Sequence, residues 1–121
     1  LRQVAPSGAP THRITQAIAW LRQHLEQPMR VSALAQKVGM STSSLHHYFR
    51  AITGKSPLQY LKQMRLAEAR RLLCEEKLDA ATAGFRVGYN DASQFTREYR
   101  RSFGAPPMRD LRARRAELPG G

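Results

Sequence analysis

The sequence predicts an all-α fold of about seven helices, arranged as two helix-turn-helix subdomains bridged by a long central helix. Three observations carry that prediction. Apolar residues recur at spacings of three and four, glycines and prolines punctuate them where helices stop and start, and one helix–glycine–cap–helix pattern occurs twice. No alternating β-branched run marks a strand.

The elements follow in order. Ile14, Ala17, Ile18, Leu21 and Leu25 form the stripe of an amphipathic helix, with Thr11 placed to cap it and Pro28 to end it. Ser32 is positioned to cap a short second helix carrying Leu34, Ala35 and Val38, which Gly39 stops by taking the left-handed conformation. A third helix starts at Ser41, sets Leu45, Tyr48, Phe49 and Ile52 on one side, and closes at Gly54. Ser56-Pro57-Leu58-Gln59 is a capping box with proline at the first helical position. It opens a long helix to about Cys74, with Leu61, Leu66, Ala69, Leu72 and Leu73 facing apolar neighbours and Arg65, Arg70 and Arg71 mainly elsewhere. Asp79 and Asn90 read as caps of the fifth and sixth helices, Gly88 and Gly104 as their stops, and Pro106-Pro107 as the start of the last. The implied plan is a linker remnant over 1–10, a first subdomain over 11–55, a bridging helix over 56–76, a second subdomain over 77–112, and a flexible basic tail over 113–121, with Arg112 to Gly121 frayed.

The duplication is the most specific signal. Leu34-Ala35 and Ala83-Gly84 precede Val38-Gly39 and Val87-Gly88; Met40 or Tyr89 follows, then a cap, then a second helix, and Pro57 and Pro107 each stand three residues beyond the closing glycine. Two helices meeting steeply across a short turn need such residues: a glycine for the turn, and a small residue where the second helix comes close. Glycine inside a helix costs about 1 kcal/mol relative to alanine, so Gly84 implies a close contact.

Charge and cysteine content bound the function. Of the 121 residues, 20 are Lys or Arg and 9 are Asp or Glu, a formal charge of +11 that favours a polyanionic partner. A single cysteine, Cys74, can form no internal disulfide and fits a reducing, cytoplasmic setting as a core residue rather than a nucleophile. No apolar run approaches the roughly 20 residues that cross a bilayer, so no membrane partner is expected. No paired carboxylates, nucleophile constellation or phosphate-cradling glycine loop is present, which argues against an enzyme, and no cofactor is implied. His46 and His47, being adjacent, cannot share one line along a helix, so no metal site is expected there.

Taken together, the chain from about Ile14 to Arg112 resembles the DNA-binding domain of the AraC/XylS family. The resemblance is carried by Leu34-Ala35 through Gly39-Met40-Ser41, Leu45 with Phe49, Gly54 with Ser56-Pro57, Arg65-Leu66 with Ala69-Arg70 and Leu72-Leu73, and Val87-Gly88-Tyr89 through Phe95, Tyr99, Phe103-Gly104 and Pro107. It implies two helix-turn-helix units on a long bridging helix, binding promoter DNA through two successive major grooves, with RNA polymerase as a further partner. An effector or dimerisation domain preceding Leu1 is suspected. The chain departs from the family in having Ala83-Gly84 where a larger aliphatic and an alanine are usual, a change expected to loosen the second unit.

With the apolar faces turned inward, Thr42, Ser43, His46, His47 and Arg50 point out from the third helix, and Ala92, Ser93, Thr96, Arg97 and Arg100 from the sixth. By resemblance Ser43, His46, His47 and Arg97 match base-reading positions, and Ala92, Ser93 and Thr96 complete the expected base-contacting set. Arginine at Arg97 suits the O6 and N7 of guanine. Phosphate contacts are expected at Ser41, Thr42 and Asn90, near helix N-termini whose free N–H groups favour anions, and at the cations Arg50, Lys55, Arg100 and Arg101. A nonspecific basic nucleic-acid-binding or architectural protein is the competing reading, since charge alone would serve it.

Overall fold

The computed structural model describes residues 9–117, and among these every regular element is helical: α1 (Pro10–Gln23), α2 (Val31–Lys37), α3 (Thr42–Thr53), α4 (Pro57–Glu75), α5 (Ala80–Arg86), α6 (Ala92–Phe103) and α7 (Pro107–Glu117). The chain divides within α4 into two compact units, one up to Lys62 and the other from Gln63 onward. Two helix-turn-helix pairs, α2–α3 and α5–α6, are present as the repeat requires.

In the first unit, α1 buries Ile14, Ala17 and Leu21, α2 buries Leu34 and Ala35, and α3 buries Leu45 and Phe49. All three pairs of these helices touch. Tyr60 of α4 meets the Phe49 ring edge-on at 5.5 Å, and Leu61 is buried beside it in the chain. After α2 the Gly39 N–H bonds to the Gln36 carbonyl and the Met40 N–H to the Ala35 carbonyl, with Gly39 at φ 72°, the two-bond closure of a Schellman turn. The Arg13 guanidinium reaches from α1 to the carbonyls of Val38 and Gly39, fastening the outside of that turn.

The second unit repeats the scheme with aromatic residues. Gly88 at φ 107° and the bond from the Tyr89 N–H to the Gly84 carbonyl close its turn. Tyr89, Phe95, Tyr99 and Phe103 form a run of ring contacts with centroids 5.3, 5.7 and 4.6 Å apart. Leu66, Ala69, Leu72 and Leu73 of α4, Ala83, Val87 and Leu111 complete this core, and Cys74 packs against it.

Gly84 does not loosen this unit. A Cβ there would lie 2.7 Å from Cδ2 of Phe95, so the missing side chain is what lets the Phe95 ring seat on α5.

α7 is tied down by a buried acid. Asp110 is 7% exposed and accepts hydrogen bonds from the Tyr99 hydroxyl on α6 and from Nε and Nη2 of Arg70 on α4, at 3.0 and 2.8 Å for the arginine. Arg70 also lies 4.0 Å from the Phe103 ring centroid. Amphipathic patterning places Arg70 away from the core; a carboxylate 40 residues along the chain draws it in. Burial alone pushes the Asp110 carboxyl upward, but the bonds from Arg70 and Tyr99 and the nearby charges of Arg70 and Arg114 outweigh it and hold the group below its ordinary value.

Several helix ends differ from expectation. Ala9 precedes α1, with Pro10 in its first turn, so Thr11 is inside the helix rather than its cap, and α1 stops at Gln23, before Pro28. α2 starts after Arg30, leaving Ser32 within it. Ile52 is 45% exposed and Tyr48 half-buried, so the inward face of α3 is narrower than its apolar residues suggest. α7 continues to Glu117, where fraying was expected from Arg112; Arg and Ala are strong helix formers and sustain it without packing. The linker expected over 1–10 and the tail expected over 113–121 lie partly outside the described residues.

Two outcomes follow. Gly84→Ala gains up to about 1 kcal/mol of helix propensity but overpacks a buried ring at a cost of about 1–3 kcal/mol, so denaturant unfolding should show a net loss near 1 kcal/mol. For Asp110 the folded pKa is depressed, so its contribution is complete above the unfolded value of about 3.9 and is lost as pH falls through the folded value. Acid titration of stability should show that loss below about pH 4, and Asp110→Asn should remove this part of the acid response.

Candidate nucleic-acid interface

The two pairs are related by more than topology. Val31 and Ala80 open their first helices and Thr42 and Ala92 their second, so the copies are 49 residues apart before the turn and 50 after it. The second turn therefore holds one extra residue, Asn90. This corrects one sequence assignment: the cap of α6 is Asp91, whose carboxylate accepts from the Ser93 and Gln94 N–H groups at 2.8 and 3.4 Å, and not Asn90. Glycine and proline positions held the signal, since Gly39 pairs with Gly88 at one offset but Gly54 with Gly104 and Pro57 with Pro107 at the other.

The first pair has a neutral cap at the corresponding place, Ser41, whose hydroxyl accepts from the Ser44 N–H at 3.1 Å. The two N-termini thus differ in charge. A carboxylate over the first turn of α6 answers the helix dipole itself and leaves less for a phosphate, whereas α3 ends in a hydroxyl. The expectation that free N–H groups near Asn90 attract an anion loses its basis, although Asn90 itself is exposed.

Beyond the caps, equivalent positions fall on equivalent faces. Leu45 and Phe49 of α3 and Phe95 and Tyr99 of α6 are buried, and opposite them Ser43, His47 and Arg50, like Ser93, Arg97 and Arg100, are exposed at helical spacings of four and three. His46 is half-buried while its counterpart Thr96 is exposed. Thr42, Ala92, Lys55 and Arg101 are exposed as well. His47 meets the ring of Tyr48 edge-on at 4.9 Å.

The one acid on α6 is turned aside. Glu98 accepts from the Tyr89 hydroxyl at 2.7 Å on one carboxylate oxygen and from Nε2 of Gln94 at 2.9 Å on the other. Burial of the Tyr89 hydroxyl and its bond to Glu98 push that phenol up, so it stays a donor. Arg97, next in sequence, makes no ion pair among the described residues. On α4, by contrast, Arg71 is held by Glu68, Glu75 and Glu76 at 2.8, 3.3 and 3.2 Å.

A family model described as a helix-turn-helix domain matches residues 34–113. The chain belongs to the AraC/XylS family, as a DNA-binding domain of its transcription regulators. Among its relatives are the HTH-type transcriptional activators RhaS of Salmonella arizonae, 32% identical over 107 residues, and of Citrobacter koseri, 33% identical over 106. Each alignment covers 88% of this chain and 38% of the relative, so the chain spans less than half the length of the proteins it matches. The DNA-binding domain of AdpA, solved in complex with a target DNA, superposes with a TM-score of 0.82 at 30% identity, covering 90% of this chain and 98% of that one. An AraC-type regulator from Chromobacterium violaceum gives the same score and identity over 91% and 96%.

The corrected cap has a direct check. Asp91→Ala should cost about 1 kcal/mol through loss of the N-cap, while Asn90→Ala should stay within about 0.5 kcal/mol, both read by chemical denaturation. A larger cost at Asn90 than at Asp91 would return the cap to Asn90.

Proposed function

We propose that this family domain reads promoter DNA with α3 and α6, each entering a major groove, the two grooves being successive turns of one duplex. The observation that carries the reading is the matched outward set, Ser43 and His47 on α3, with His46 half-buried beside them, and Ala92, Ser93, Thr96 and Arg97 on α6, each on a helix whose other face is locked into a core. Base edges in the major groove offer donors, acceptors and a methyl group, and these side chains match them: Arg97 grips guanine, Thr96 reaches a thymine methyl, and the serines and histidines donate or accept.

Arg50, Lys55, Arg100 and Arg101 hold phosphates, with Ser41 and Thr42 at the first turn of α3 and, before α6, the exposed side-chain amide of Asn90 in place of the helix N-terminus; these contacts set register without selecting sequence. The specific reading is favoured over a merely basic nucleic-acid binder because Glu98 is sequestered by Tyr89 and Gln94 while Arg97 is left available. Charge alone needs no such arrangement.

In the full-length protein this domain acts as the promoter-reading part of a cytoplasmic activator that also contacts RNA polymerase. That the related RhaS proteins are transcriptional activators supports that role. A separate effector or dimerisation domain belongs to the same reading, supported by the greater length of the relatives.

Selection of bound sequences from a random pool, followed by competition, tests the proposal. The selected site should bind at least ~10³-fold more tightly than random DNA at physiological salt; equal binding to both would leave only the nonspecific reading. Arg97→Ala should relax preference at one base pair at a cost of about 1–3 kcal/mol, and Arg101→Ala should weaken all DNAs alike.

A further inference from the structure

α7 extends beyond what its packing explains. Its last buried residue is Leu111, yet the helix continues to Glu117, and residues 112–117 are all exposed. Arg109, Arg112 and Arg115 succeed one another at spacings of three, which makes each the helical neighbour of the next. At 1.5 Å of rise per residue they stand about 4.5 Å apart along the axis, of the same order as the roughly 3.4 Å of duplex axis per phosphate on one strand.

Like charges at this spacing oppose the helix, and nothing described here relieves them. Asp110, the acid within the same turn, is consumed by Arg70 and Tyr99, and Arg114 faces it from four residues on. Arg109, Arg112 and Arg115 make no ion pair among the described residues. The same bonds that bury Asp110 anchor the base of α7 against α4 and α6, so the arginines are carried on a fixed rod rather than a loose tail.

We infer that Arg109, Arg112 and Arg115 of α7 form an auxiliary phosphate-binding stripe that grips the DNA backbone outside the bases read by α6. The partner is DNA because an unpaired cationic row on the unit that carries Arg97, Arg100 and Arg101 meets its charge complement in the same polyanion, and because arginine binds phosphate bidentately. The stripe adds affinity and salt dependence without adding sequence preference. This inference rests on the DNA-reading role proposed above and goes beyond it in the residues and in the length of duplex engaged.

The test compares the wild-type domain with R109Q/R112Q/R115Q, with R109K/R112K/R115K, and with Arg22→Gln, an exposed arginine of α1, on the selected site and on random duplex. Circular dichroism confirms that each variant is helical. Each phosphate contact contributes about 0.9 to the slope of log affinity against log salt, so the glutamine triple variant should lose about 2 to 3 from that slope, on both DNAs alike. The lysine variant should keep the slope, and ethylation interference should lose phosphates at the edge of the site in the glutamine variant and none in Arg22→Gln. Should the wild type bind its site specifically while the glutamine variant keeps its slope and its interference pattern, the stripe is wrong and the reading helices stand. Absence of specific binding by the wild type would instead defeat the reading beneath it. If the glutamine variant unfolds, interference on the wild type decides, since no protected phosphate beyond the bases contacted by α6 would overturn the stripe.

Discussion

The closeness with which the second helix of each pair can approach the first governs the rest of this molecule. That approach needs two things at once: a glycine in the left-handed region to reverse the chain in few residues, and a small side chain on the first helix where the second lies down. Gly39 with Ala35 and Gly88 with Gly84 meet both demands. In the second unit the partner at that place is the ring of Phe95, and even a methyl group on Gly84 intrudes on it. From this contact the orientation of α6 follows, and with it the direction in which Ser93, Arg97 and Arg100 point.

Charge is sorted as carefully as volume. The acids near the reading surface of the second unit are occupied: Asp91 by the amides it caps, Glu98 by Tyr89 and Gln94, Asp110 by Arg70 and Tyr99. Some arginines are occupied too, Arg70 inside the second unit and Arg71 of α4 among Glu68, Glu75 and Glu76. The formal charge of +11 therefore overstates what any one face offers, and the cations left uncommitted on α6 and α7 are the ones the proposed reading assigns to a polyanion. Both hydroxyls that face these acids, on Tyr89 and Tyr99, are pushed up by burial and by the carboxylates, so they remain donors and the acids remain quiet.

Local signals made much of this legible in advance. Ser41, Asp79 and the Ser56–Gln59 box behave as caps because a side chain three residues away from an amide can reach it whatever the rest of the fold does. Asn90 misled because the repeat was carried through the turn at a constant offset, when one inserted residue moves the cap to Asp91. Ser32 and Thr11 misled because a capping residue type says where a cap is possible, while the first packed residue decides where the helix begins.

By itself the sequence determined the helical periods, the glycine stops, the duplication and so the fold, along with the faces that carry Ser43, His47, Ser93 and Arg97. These depend on interactions within a few residues, and a single chain records them directly. Only tertiary structure decided that Arg70 is withdrawn to Asp110, that Glu98 is silenced by Tyr89, that Gly84 serves the Phe95 ring, and that the arginines of α7 stand on an anchored helix. Such pairings join residues distant in sequence, and no spacing rule specifies which charge finds which partner once the chain closes on itself.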